Sequence, residues 1–129
     1  MDTGHMIFVF GSNLDGIHGA GAAAYAYQKR HAEWGVGEGR TGSCYALPTK
    51  GHGITFMDLN TIKLHVKLFL KHAEDHPDDV FQVTQVGCGL GGWQPKDIAP
   101  LFLGASSNCT FDTAWREFLP PGTVYWGTF

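Results

Sequence analysis

The stretch Val86-Gly87-Cys88-Gly89-Leu90-Gly91-Gly92-Trp93 puts four glycines into the six residues 87–92. Without side chains in the way, a ligand can approach the main chain there, and bare N–H groups suit an anion such as phosphate. A second run, Gly11-Ser12-Asn13-Leu14-Asp15-Gly16-Ile17-His18-Gly19-Ala20-Gly21, has the same character. Two such loops in one small chain point to a nucleotide diphosphate more than to ordinary turns. Lys50 stands between Thr49 and Gly51, where an amine suits a pocket edge. It can stabilise phosphate charge or attack a ribose C1″ as a desolvated nucleophile; the alternative is a solvated surface lysine. Asn13 carries a donor and an acceptor on one planar group, suited to ribose hydroxyls or, equally, to an Asx-type turn.

Other residues invite chemistry less strongly. Asp15 and His18 have acid–base capacity, but loop Asp and His are more often structural. Cys88 would be a nucleophile if a helix N-terminus lowered its thiol pKa; with no partner base nearby, a small apolar loop residue is the favoured reading. His72 and His76 are one helical turn apart, a metal-capable spacing, yet Glu74 stands between them and the H-E-x-x-H order is absent. Histidines at a helix C-terminus are explained by the dipole alone. Trp34 and Trp93 can stack on a base or fill core and rim, and Tyr25 and Tyr27 read as helix packing.

These residues need elements to hold them. Ile7–Phe10 reads as a buried strand before the first loop, and the alanine-rich 22–30 as a helix after it. Residues 34–42 form a glycine-rich connection, a mobile cover or a wide turn. Ser43–Leu47 reads as a strand stopped by Pro48, with Thr49 and Lys50 at its C-terminal end, where open α/β sheets place their chemistry. Asp58 or Asn60 caps a helix whose apolar positions Leu59, Ile62, Val66, Phe69 and Ala73 keep 3- and 4-residue spacing. Pro77 ends it. Val80–Gln85 reads as a buried strand, and residues 95–102 as a helix with Pro95 at its start. Thr113–Phe118 suggests a short helix and Thr123–Trp126 a closing strand. Strands alternating with helices imply a layered α/β fold with a mostly parallel sheet.

The 129 residues suffice for one domain with a real core, and 43% hydrophobic with 16% charged describes a folded chain. The first five residues read as an appendage before a native Met6. A net charge of −3 with scattered Lys and Arg disfavours duplex nucleic acid, while a single nucleotide in a pocket stays compatible. No run spans a bilayer and no secretory signal is evident, so no membrane partner is expected. Three cysteines without a C-x-x-C pair fit a reducing cytoplasm and argue against a zinc cluster.

At the two glycine loops the sequence resembles the macrodomain family, three-layer α/β/α modules that bind ADP-ribose and in many members remove it from modified targets. Asn13 sits at the family's second asparagine, and His18-Gly19-Ala20-Gly21-Ala22 at the spacing of its glycine run. Val86–Gly92 is similar to the second phosphate loop. Tyr45-Ala46-Leu47-Pro48-Thr49-Lys50 resembles the lysine-bearing strand end of the DNA and glutamate ADP-ribosyl hydrolases, including the antitoxin acting on thymidine. Phe10 occupies the place of the family's first asparagine. The preceding strand, with its adenine-holding acid, has no counterpart. Gly91 stands where a glutamate-specific type carries an aspartate and the thymidine type a glycine. The compact pattern is also similar to phage and mobile-element proteins.

The resemblance implies one macrodomain-like domain over 1–129. It would bind ADP-ribose and hydrolyse a glycosidic bond at C1″ of ADP-ribosylated DNA or protein, without metal or redox cofactor; the alternative is a non-catalytic binder of such nucleotides. The expected ligand contacts are Gly11, Ser12, Asn13, Gly19, Ala20, Gly21, Thr49 and the loop Gly87, Cys88, Gly89, Leu90, Gly91, Gly92, Trp93. Asn13 would orient the distal ribose, and Lys50 would act at the anomeric carbon.

Overall fold

The computed structural model describes residues 5–129; the first four residues of the expected appendage lie outside them. The elements are β1 Met6–Asn13, α1 Gly21–Lys29, β2 Gly39–Thr41, β3 Cys44–Lys50, α2 Leu59–Asp75, β4 Val80–Val83, α3 Pro95–Ile98, β5 Cys109–Asp112 and β6 Tyr125–Gly127. The strands form one sheet in the order β2-β3-β1-β4-β5-β6. Only β2 runs antiparallel, to β3; the other neighbours are parallel.

A central parallel strand is covered on both faces, so it reads as an unbroken apolar run. In β1, Ile7 and Val9 point into one core and Phe8 and Phe10 into the other. The first core takes Tyr45 and Leu47 of β3 with Ile62, Val66, Phe69 and Ala73 of α2. The second takes Cys44 and Ala46 with Ala23 and Ala26 of α1, whose small side chains let the helix lie close on the phenylalanines. This is the expected three-layer α/β/α arrangement with a mixed, mostly parallel sheet. Asp58 caps α2, its carboxylate accepting from Thr61 N at 2.7 Å. No helix of the described residues is long and apolar enough to cross a membrane.

Several expectations are corrected. The connection at 34–42 contains β2, an edge strand tied inward by Arg40, whose guanidinium donates to Asp79 at 2.9 Å. Pro48 does not stop its strand: β2 pairs β3 only as far as Ala46, so beyond it β3 has one neighbour and tolerates a missing N–H. The helix expected over 95–102 is α for four residues and then a 3-10 turn over Ala99–Phe102. Pro100 enforces this, since its ring collides with an α-helical carbonyl four residues back. A strand, β5, lies where none was expected, wholly buried between β4 and β6.

Candidate functional site

From β1 the chain passes through α1 to β3 on one side, then through α2 to β4 on the other. The C-terminal ends of β1 and β4 therefore flank a topological switch point, where open α/β sheets bind ligands. A cleft of about 450 Å³ opens there, lined from β1 by Gly11, Ser12 and Asn13 and from β3 by Thr49 and Lys50. Gly19–Ala23 form another wall, and the second glycine loop another through Val86, Gly87, Cys88, Leu90 and Gly91.

Gly11 explains how the walls meet. A Cβ there would stand 3.2 Å from Thr49 Oγ1, 3.4 Å from Gly87 N and 3.5 Å from Val86 Cα. Gly87 has φ +76°, a conformation that side chains disfavour. Among the described residues, the N–H groups of Gly87 and Leu90 have no backbone acceptor, nor have Gly21, Ala22 and Ala23 in the first turn of α1. Ala20 caps that helix without a side-chain hydrogen bond. Bare donors thus border the cleft from two directions, with the α1 dipole behind one set. Among the described residues no helix dipole backs the second loop: α3 has four residues, lines no part of the cleft and is capped by its own Asp97.

Lys50 is half-buried and, among the described residues, is the only charged side chain lining the cleft and has no ion pair. It lies opposite Asn13 just past an irregularity in the β1–β3 register, and its carbonyl accepts from Leu14 N at 3.0 Å. Such irregularities re-aim side chains at strand ends. Of the two expectations for Asn13, the turn is the one the structure displays: its Nδ2 donates to the Ile17 carbonyl at 2.8 Å and its Oδ1 accepts from Ile17 N at 3.0 Å.

Gly89, Gly92 and Trp93 do not line the cleft. The Trp93 indole donates to the Met57 carbonyl at 3.0 Å and lies tilted against Phe56, ring centroids 5.3 Å apart. Asp15 also faces elsewhere, accepting from Gly53 N at 2.7 Å and lying 2.7 Å from His52 Nδ1. The His52 bond and the Gly53 amide hold its carboxyl below the ordinary range. His18 is buried against Phe10 and Trp34, and burial lowers its pKa. Burial pushes the Cys88 thiol up to about 11, against any thiolate role. His76 directs Nδ1 to the His72 carbonyl at 2.7 Å, and the two rings stack. The expected packing of Tyr25 is against Phe8 and Phe129.

Eight residues that line the cleft were not among the expected contacts: Ile17, Ala22, Ala23, Ile54, Thr84, Gln85, Val86 and Phe129. Ile54, an isoleucine between Gly53 and Thr55 in a polar loop, was the one visible signal.

No family profile and no curated protein sequence matches the chain. Among solved structures it is similar to Thermosipho africanus DarTG in complex with ADP-ribose, with a TM-score of 0.58 and 17% identity. The match covers 83% of this chain and 37% of that one, so the chain spans well under half of DarTG's length. The likeness bears out the macrodomain-like α/β fold.

Proposed function

We propose that the cleft binds ADP-ribose or a related nucleotide diphosphate, and that the protein hydrolyses the glycosidic bond at ribose C1″ of an ADP-ribosylated DNA or protein. The observation that carries this reading is the convergence of two glycine loops on one cleft with Lys50 as its charged lining residue among those described. Two linked anions suit donors arriving from both sides, and a single phosphate would leave one set unused. The ADP-ribose bound in the similar DarTG structure supports the choice of ligand.

The main-chain donors of the second loop and of residues 19–21 would take the diphosphate, with the distal ribose beside Lys50. In the reaction the bond from C1″ to the target breaks, the target leaves with the electron pair and gains a proton, and C1″ gains the hydroxyl of water. As an ammonium, Lys50 steadies negative charge; as an amine, it forms a bond to C1″ that water then replaces. Asn13 serves by setting its loop. No metal or redox group enters this scheme. We place the chain by resemblance in the DNA and glutamate hydrolase branch, as one compact domain of the phage type acting in the cytoplasm.

One observation favours a second reading, a binder without turnover. Among the described lining residues there is no Asp, Glu or His to activate water. A thermal-shift panel of ADP-ribose, NAD, cyclic ADP-ribose isomers and AMP tests ligand choice, since a ligand bound only by the native state raises its melting point. Incubation with ADP-ribosylated DNA and protein then separates the two readings. Free ADP-ribose appearing in proportion to protein supports hydrolysis; tight binding with no release supports the binder.

A further inference from the structure

Asn13 at the end of β1 and Asp15 in the loop after it are each bonded at or beside an isoleucine of the cleft. Asn13 brackets Ile17 through both of its main-chain groups, at 2.8 and 3.0 Å. Asp15 reaches across to the loop after β3, where one carboxylate oxygen accepts from Gly53 N at 2.7 Å and the other lies 2.7 Å from His52 Nδ1. The next residue, Ile54, has φ +57°, a region that β-branched side chains avoid. Gly51 N, donating to the Thr55 carbonyl at 2.8 Å, closes the base of that loop. Ile17 and Ile54 both line the cleft, yet they remain 38% and 46% exposed.

Strained backbone persists only where its surroundings impose it, and it gathers at ligand clamps. Here the Asp15 carboxylate ties down the loop at Gly53 while Ile54 N donates to the Gly51 carbonyl at 3.1 Å, and the product is an exposed apolar side chain at the cleft. Both isoleucines line the same cleft as Lys50. Asn13, which holds Ile17, is the register partner of Lys50, and the loop bearing Ile54 starts directly after it.

We infer that Ile17 and Ile54 are a pair of apolar jaws that close on the carbon-bound face of the ribose held beside Lys50, with Asn13 and Asp15 as the positioning residues that set them. This rests on the ADP-ribose reading above and adds the residues that retain the sugar. Covering the two side chains removes apolar area from water only when ligand is present, so the jaws govern departure more than arrival.

The test is stopped-flow kinetics of ADP-ribose with the wild type, Ile54→Ala, Asp15→Asn and the double variant, with melting temperatures to establish that each is folded. The Asn variant keeps the shape of Asp15 while removing its charge. Ile54→Ala is expected to raise the dissociation rate roughly tenfold, with association changed by less than about twofold. Asp15→Asn is expected to raise dissociation severalfold and to speed exchange of the Gly53 amide. The double variant is expected to match Ile54→Ala alone, because Asp15 acts through Ile54. Wild-type dissociation in both single variants, or full additivity in the double, overturns the inference alone. A wild type that does not bind ADP-ribose overturns the ligand reading and the jaws with it.

Discussion

Gly11 and Gly87 stand so close that a methyl group on the first would lie 3.4 Å from the backbone nitrogen of the second. That contact joins the end of β1 to the second glycine loop and holds both walls of the cleft at working distance. Gly11→Ala adds a carbon that Thr49 and Gly87 must yield to by a few tenths of an ångström. The expected cost in stability is about 1 kcal/mol. The expected loss in ADP-ribose affinity is greater, roughly tenfold, because the donors of the loop move with it. Denaturant titration and calorimetry on the same sample check the two numbers.

Lys50 separates binding from turnover. Lys50→Ala is expected to weaken ADP-ribose binding about tenfold, by removal of a charged donor. If the lysine acts at C1″, release of ADP-ribose from a modified target falls by about a hundredfold or more. Lys50→Arg keeps the positive charge and the phosphate contact, yet cannot supply an amine nucleophile. It is expected to retain affinity and lose turnover, which single-turnover measurements resolve.

The buried acids of the core predict an alkaline limit. Burial raises the Cys88 and Cys109 thiols from 9.0 to about 11, and it raises the Tyr45 hydroxyl from 10.0 to about 12. A raised pKa means that the folded state holds its proton more tightly than the unfolded one. The stabilisation is complete below pH 9 and is lost as pH climbs through the folded values. Unfolding free energy is therefore expected to fall steadily between about pH 9 and 12. Cys88→Ala is expected to flatten the lower part of that slope, as pH-dependent urea titrations would record.

Asn108 ties three segments together. Its amide nitrogen lies 3.0 Å from the carbonyls of Ala73 and His76 and 3.1 Å from that of Asp79, at the end of α2 and the approach to β4. Ser106 donates to its oxygen at 2.5 Å. Asn108→Ala leaves these partly buried carbonyls without their side-chain donor and is expected to cost about 1 kcal/mol, with ligand affinity preserved because Asn108 does not line the cleft. Thermal melts with and without ADP-ribose test both halves of that statement.

Where the sequence was legible, one local rule was enough. The helix α2 follows from its 3- and 4-residue apolar spacing and from Asp58 at its start, and β1 from an unbroken apolar run. The strand β5 was hidden because it is only four residues long and ends on Asp112, a residue type that strands disfavour. Its two polar side chains are buried with their bonds satisfied: Thr110 donates to the Phe81 carbonyl at 2.8 Å, and Asp112 accepts from Ala114 N two residues on at 2.9 Å and from Phe129 N at 3.0 Å. The glycine loops announced the cleft, since glycine density has a backbone meaning of its own. Ile54 was not announced, because the loop that carries it is tied by the Asp15–Gly53 bond across 38 positions of chain. The role expected of the Asn13 amide met the same limit, as its open alternatives differed only in where the side chain turns.

The most direct test of the cleft is a calorimetric titration of the wild type with ADP-ribose, AMP and ribose 5-phosphate under identical conditions. Donors converging from two loops should favour the diphosphate, so ADP-ribose is expected to bind at least about tenfold more tightly than either monophosphate. Equal affinities for all three, or no heat with ADP-ribose, would contradict a cleft built for a pair of linked phosphates.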